Sequence, residues 1–198
     1  MNDIKEQFSH IYKTNYWNSQ ESRSGGGSEV AATVEIRQWL MDMIAKYKIE
    51  SMTDCACGDF NWMQKVEFPK GFYYTGIDVV DEMIHSNMEK YGRHGRIFLT
   101  RDMTTDSIPK ADLLFCKDVF LHLSLAHIQQ ILDNFKASRS KYLIVSNGIG
   151  TAFNEDKVTG GSWRVVNLQK PPFSLNSYLE LLNVGFTQMT LHSIENLQ

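Results

Sequence analysis

The chain has 198 residues, 42% of them hydrophobic and 22% charged, with a formal net charge of −3. That length suits one domain, residues 1–198, with a sizeable core. No cluster of Lys and Arg offers the basic face that a duplex binder needs, so nucleic acid is a poor first partner. Apolar runs such as Leu113–Cys116 and Tyr142–Val145 fall far short of the ~20 residues of a membrane span.

The polar start MNDIKEQFSHIYK has no signal-peptide character, and a cytoplasmic protein without membrane association is expected. Of the three cysteines, Cys55 and Cys57 have the wrong spacing for a zinc or redox pair. All three are read as reduced thiols near strands.

Tyr16–Ser28, YWNSQESRSGGGS, has the composition of a mobile loop. Residues 1–28 are expected to form an N-terminal flap. Ser28 is placed to cap a helix over about Glu29–Lys48. Val30, Val34, Met41 and Ile44, widened by Ile36, Leu40 and Tyr47, give it the broad stripe of a helix on a sheet.

A short strand then leads to Asp54, and a turn through Gly58 enters a short helix near Asn61–Val66. A strand at Tyr73–Ile77 ends at Asp78. The next helix, about Asp81–Tyr91, carries Ile84, Met88 and Tyr91 on one face and stops at Gly92. Strands follow at Arg96–Thr100 and Asp112–Cys116. A helix capped by Ser124 runs over about Leu125–Ser138, with Ile128, Ile131, Leu132 and Phe135 inward. Lys141–Ser146 is a fifth strand. Such alternation implies right-handed crossovers and a parallel sheet.

Residues 147–175 then break the rhythm as a long loop, expected on the substrate side. A last helix near Asn176–Leu182 and one strand near Phe186–Ser193 close the chain. The fold expected is a Rossmann-like, doubly wound α/β domain with a mainly parallel sheet, lacking the last of the usual seven strands. The unpaired edge this leaves makes a homodimer conceivable.

Ligands of such sheets bind at the carboxyl ends of the strands, where the strand order reverses. Three strands here end in Asp54, Asp78 and Asp102, and a fourth runs into Lys117-Asp118. An acid after the second strand suits the two hydroxyls of a ribose. The first turn, DCACGDFNW, holds one glycine where a dinucleotide site needs three, and Asp59 would repel a pyrophosphate. A cationic, phosphate-free ligand fits better, which favours S-adenosylmethionine over a nicotinamide dinucleotide.

Taken together, DCACGDFNWM, GIDVV, RDMTTDSIPKADLLFCKDVFLHLS and TGGSWRVVNLQKPPF resemble class I S-adenosylmethionine-dependent methyltransferases. Within that family they are similar to a bacterial subgroup whose first motif reads D-x-x-C-G-D-F-N-W, often found with surface-polysaccharide genes. The likeness covers roughly residues 8–176. It implies that Asp54, Cys57 and Gly58 border the methionine part of the cofactor. It implies further that Asp78 and Val79 hold the ribose, and that Asp102 and Met103 meet the adenine. Lys117 and Asp118 would lie beside the transferable methyl. His122 is the preferred base, with Asp118 orienting it or contacting substrate, and His127 is an outside candidate.

Trp163, Arg164 and Asn167 either grip the acceptor or anchor the loop. Ala56 and Phe60 stand where the family carries glycine, which calls for a differently shaped turn. The resemblance implies O-methylation of a small molecule such as a sugar or nucleotide-sugar. N-methylation of an amine or RNA, a non-catalytic binding module, and a metal-assisted variant using Asp118 and Asn147 are the alternatives.

Overall fold

In the computed structural model, which describes residues 4–197, strands and helices alternate as the pattern predicts. Residues 1–3 and 198, the outer ends of the expected domain and flap, lie outside the described residues. The strands are β1 (Ser51–Cys55), β2 (Tyr73–Asp78), β3 (Arg96–Thr100), β4 (Leu113–Cys116), β5 (Tyr142–Gly148), β6 (Glu180–Val184) and β7 (Thr187–Ser193). The helices are α1 (Ile4–Thr14), α2 (Val34–Lys46), α3 (Asp81–Tyr91) and α4 (Leu125–Ala137).

One seven-stranded sheet runs in the order β3-β2-β1-β4-β5-β7-β6. β1 to β5 are parallel, and β7 runs antiparallel between β5 and β6. Covered on both faces, the central strand β4 is wholly apolar, as a buried parallel strand tends to be. Its period of two divides the core. Leu114 and Cys116 join Ile128, Ile131 and Phe135 of α4 on one face. Leu113 and Phe115 join Ile36, Leu40 and Ile44 of α2 on the other.

Ser124 caps α4 as expected, its hydroxyl accepting from the His127 amide at 3.2 Å. α3 matches the predicted span, but Met83, Ile84 and Asn87 face inward while Met88 is exposed. Gly92 ends α3 in an extended conformation, and it is needed for space: a Cβ there would lie 2.4 Å from the Met88 carbonyl.

Several expectations are corrected. The helix expected over Glu29–Lys48 begins as 3-10 turns at Gly26–Ser28 and Ala31–Thr33, and becomes α-helical only at Val34. Ser28 is therefore no cap, and Val34 is 55% exposed, outside the stripe. The segment near Asn61–Val66 is a 3-10 turn, Met63–Lys65. The last helix does not form: Glu180–Val184 is strand β6, which pairs with β7 around Gly185 at φ 59. The sheet accordingly has all seven strands. The short apolar pairs Tyr178-Leu179 and Leu181-Leu182, split by Glu180, read equally well as helix or strand, and pairing with β7 decides the matter.

α1 went unread in the sequence. Its Ile4, Phe8 and Ile11 follow the i, i+4, i+7 spacing of one helical face, and all three border the cavity described next.

Candidate functional site

The strand order reverses between β1 and β4, and a cavity of about 510 Å³ opens at their carboxyl ends. That volume lies within the range of small-molecule sites. Asp54, Cys57, Gly58, Asp78, Val79, Asp102, Met103, Lys117, Asp118, His122 and Trp163 all border it.

Asp54 is buried at the end of β1, where its Oδ2 accepts from the Tyr74 hydroxyl at 2.6 Å. Burial raises its pKa to about 7, against the lowering effect of that bond. Asp78, on the neighbouring strand, accepts from the amides of Gly58 at 3.2 Å and Val80 at 3.1 Å. Burial raises it to about 6, with the backbone bonds opposing. Two carboxyl groups with little water around them thus sit side by side in one crevice. Asp102 spends Oδ1 on the amide and hydroxyl of Thr104, 2.8 and 2.7 Å away, in a tight turn after β3. Cys57 is buried, and desolvation pushes its thiol well above the usual range, so it lines the cavity as an inert group.

The β1–β2 connection keeps the shape that glycine would give it. Ala56 and Phe60 take φ of 62 and 60, beside Gly58 at 57, so the expected reshaping does not occur. Instead two side chains bear a left-handed conformation that costs roughly 1–2 kcal/mol each. Phe60 packs edge-on to Tyr74 and Phe98, which holds it there.

The expected repulsion by Asp59 is also corrected. Asp59 does not border the cavity; its carboxylate accepts from the Ser22 hydroxyl at 3.0 Å and the Arg23 amide at 2.7 Å. A dinucleotide is disfavoured for a different reason. Asp78 occupies the Gly58 amide, and no α-helix lies between β1 and β2 to turn its N-terminus on a pyrophosphate.

Gly25, Gly27 and Gly58 are a matter of fit. A Cβ on Gly27 would lie 3.1 Å from Asp118 Oδ2, and one on Gly58 would lie 2.2 Å from Ser24 Oγ. Gly25 takes φ 88 against Trp17. Residues 22–28 therefore lie directly on the first turn and on the end of β4. Lys117, its side chain 8% exposed, donates to the Gly27 carbonyl at 2.9 Å and pairs with Asp118. Asp118 itself has φ 55, and its amide donates to Ser146 Oγ at 2.8 Å.

His122 lies in a 3-10 turn after β4, its ring 4.9 Å from that of Trp17. Nδ1 is 3.1 Å from the Ser162 carbonyl. A carbonyl can only accept, so Nδ1 carries the proton and Nε2 the lone pair. Burial holds its pKa down to about 4. Trp17, which also donates to the Gly161 carbonyl at 2.9 Å, was missed in the sequence because nothing in its neighbourhood marks an apolar face.

Other candidates fall outside the cavity. His127 is held by Thr159 Oγ1 at 2.7 Å. Arg164 reaches the carbonyls of Glu155 and Leu121, at 2.6 and 3.3 Å, and so stitches the long loop to the domain. Asn167 is buried and fixes the amide of Gln169 at 3.0 Å. Asn147 Oδ1 accepts from the Leu168 amide at 2.6 Å, which takes it from the proposed metal pair. Among the described residues no cluster of three His, Cys, Asp or Glu could hold a metal ion.

No family model and no curated protein matches the sequence. Solved structures do. Magnesium protoporphyrin IX methyltransferase from Synechocystis PCC 6803, with bound SAH, is similar at TM-score 0.62 and 15% identity, over 96% of this chain and 97% of that one. The methyltransferase domain of bacterial CtHen1 is similar at TM-score 0.59 and 16% identity, over 80% of this chain and 97% of that one. The [4+2]-cyclase SpnF is similar at TM-score 0.56 and 17% identity, over 74% of this chain and 60% of that one. The chain thus has the Rossmann-like fold of class I methyltransferases, with its cavity at the switch point of the sheet.

Proposed function

We propose that this chain is an S-adenosylmethionine-dependent methyltransferase that methylates a hydroxyl of a small molecule, a sugar or nucleotide-sugar. The carrying observation is the pair of buried carboxyl groups, Asp54 and Asp78, that share one crevice with Lys117, Asp118 and His122.

The residues present fit the cofactor. Asp78, fixed by two backbone amides, keeps acceptor capacity for ribose hydroxyls. Asp54 offers a desolvated negative group to an ammonium or sulfonium, which would relieve its burial cost. Met103, Val79 and Asp102 give an apolar slot with one polar edge for an adenine. When bound, S-adenosylmethionine supplies a methyl group already activated by its sulfonium.

The chain's own work is then alignment and proton removal. His122, neutral with its lone pair on Nε2, takes the acceptor's proton. Trp17 and the Ser162 carbonyl hold the ring in place. Asp118 orients the acceptor, and residues 22–28 exclude water from above the first turn. At the mouth, Trp163 and Phe186 are 63% and 71% exposed. These rings offer an apolar surface for the flat face of a sugar. A second reading, methylation of an amine, is favoured by the low pKa of His122, because a weak base suffices for an acceptor that needs little help.

The test is calorimetric titration with S-adenosylmethionine, S-adenosylhomocysteine and NAD. Micromolar binding of the first two without the third supports the reading, and transfer to sugar or amine acceptors then separates the two versions. SpnF carries the same fold, so binding alone is not enough and transfer has to be measured. No binding of any of the three would end it.

A further inference from the structure

We propose that the opposite end of the sheet carries a binding site for a phosphate group, set by Lys70, Arg93 and Arg96. β2 and β3 start side by side there, and each is entered through a tight turn. In the first, the Phe72 amide donates to the Pro69 carbonyl at 3.1 Å, with Gly71 at φ 85. In the second, Arg93 and Arg96 exchange both backbone bonds, at 3.0 and 2.8 Å, with Gly95 at φ 78. Glycine at the third position lets both turns form without strain. The Tyr74 amide donates to the Gly95 carbonyl at 2.8 Å, which fastens the second turn against β2.

A cavity of about 240 Å³ lies between the turns, bordered by Lys70, Arg93, His94 and Arg96. Residues that exchange both backbone bonds stand opposite each other, so the side chains of Arg93 and Arg96 leave the same face. No carboxylate borders the cavity. Among the described residues, neither guanidinium nor the Lys70 ammonium makes a hydrogen bond or an ion pair. Arg96 is only 9% exposed, its guanidinium lying 4.9 Å from the Phe60 ring. Burial and the nearby Arg93 both hold its pKa below the usual value.

Cations are rarely buried without a counter-charge, and bringing two together on purpose calls for an anion between them. Planar guanidiniums match phosphate oxygens in pairs, and a lysine adds a point charge that suits a dianion. The site lies across the sheet from the first cavity and does not depend on the methyl-transfer reading.

Calorimetric titration of the full chain with inorganic phosphate tests this. Saturable binding is expected, weakened at least about tenfold by Arg93→Ala through loss of a charge-assisted bond, and severalfold by Lys70→Ala. Both side chains are exposed, so the variants should keep the parent's melting temperature. Added sodium chloride should weaken the binding. Tighter binding of a hexose 1-phosphate than of phosphate would assign an esterified source, and equal binding a free one. No saturable heat at millimolar phosphate would overturn the proposal. So would binding that both variants leave unchanged, or equal binding of acetate.

Discussion

Asp78 and His122 carry separate burdens, and substitution should separate them. The Asp78 carboxylate is held by two amides and faces the crevice. Asp78→Ala is expected to weaken S-adenosylhomocysteine binding by about 1–3 kcal/mol, the worth of a charge-assisted contact, as read by calorimetry. His122 makes its own bond to the Ser162 carbonyl, away from the first turn. His122→Ala should therefore leave that binding unchanged and lower turnover on the order of 100-fold. The pKa near 4 means the ring is already neutral at physiological pH. Any acid limb of turnover due to His122 should then fall near pH 4, and not near the ordinary histidine value. Turnover that survives the substitution would move the reaction towards an amine acceptor.

At the scale of elements, the β1–β2 turn is where local preference and fold disagree. Ala56 sits at φ 62, a conformation that disfavours any side chain, and borders the cavity. Ala56→Gly should stabilise the protein by about 0.5–1 kcal/mol, since relief of left-handed strain exceeds the added entropy of glycine in the unfolded chain. A raised denaturant midpoint with an unchanged slope would bear this out. A lowered midpoint would mean that the alanine methyl earns its place by packing. α2 teaches a related lesson. Its apolar stripe was legible, but its start was not, because residues 22–27 just before it are held by Asp59 and Lys117, partners far away in sequence.

For the whole molecule, the two buried carboxyl groups tie folding to pH. Asp54 and Asp78 have pKa values raised to about 7 and about 6, above the 3.8 of an open chain. A carboxyl that holds its proton more tightly when folded favours folding at low pH. That advantage is present below about pH 4 and is lost as pH rises through the folded values. His122 acts the other way. Its depressed pKa costs stability as pH falls from 6.5 towards 4. The cofactor-free protein should thus lose stability between about pH 4 and pH 7 from the two aspartates. Asp54→Asn should reduce that loss by several degrees in Tm, since its oxygen can still accept from Tyr74. An unchanged pH profile in that variant would show that Asp54 is ionised throughout.

The alternation of strands and helices, the acids at the strand ends and the inward face of α4 were all readable from the sequence. Each follows from periodicity, turn chemistry or capping within a dozen residues. β6 was not, because a short segment whose apolar residues keep neither period cleanly is settled by whichever partner lies beside it, here the edge of β7. Nor was the true task of Asp59, Arg164 and Asn167, whose polar groups could as well have faced a ligand as a backbone amide or carbonyl. Trp17 against His122, residues 22–28 across the first turn, and two arginines alone at the far end of the sheet are likewise products of tertiary structure. Sequence patterns record what a residue needs nearby along the chain; which distant group meets that need is decided only when the sheet closes and the loops settle on it.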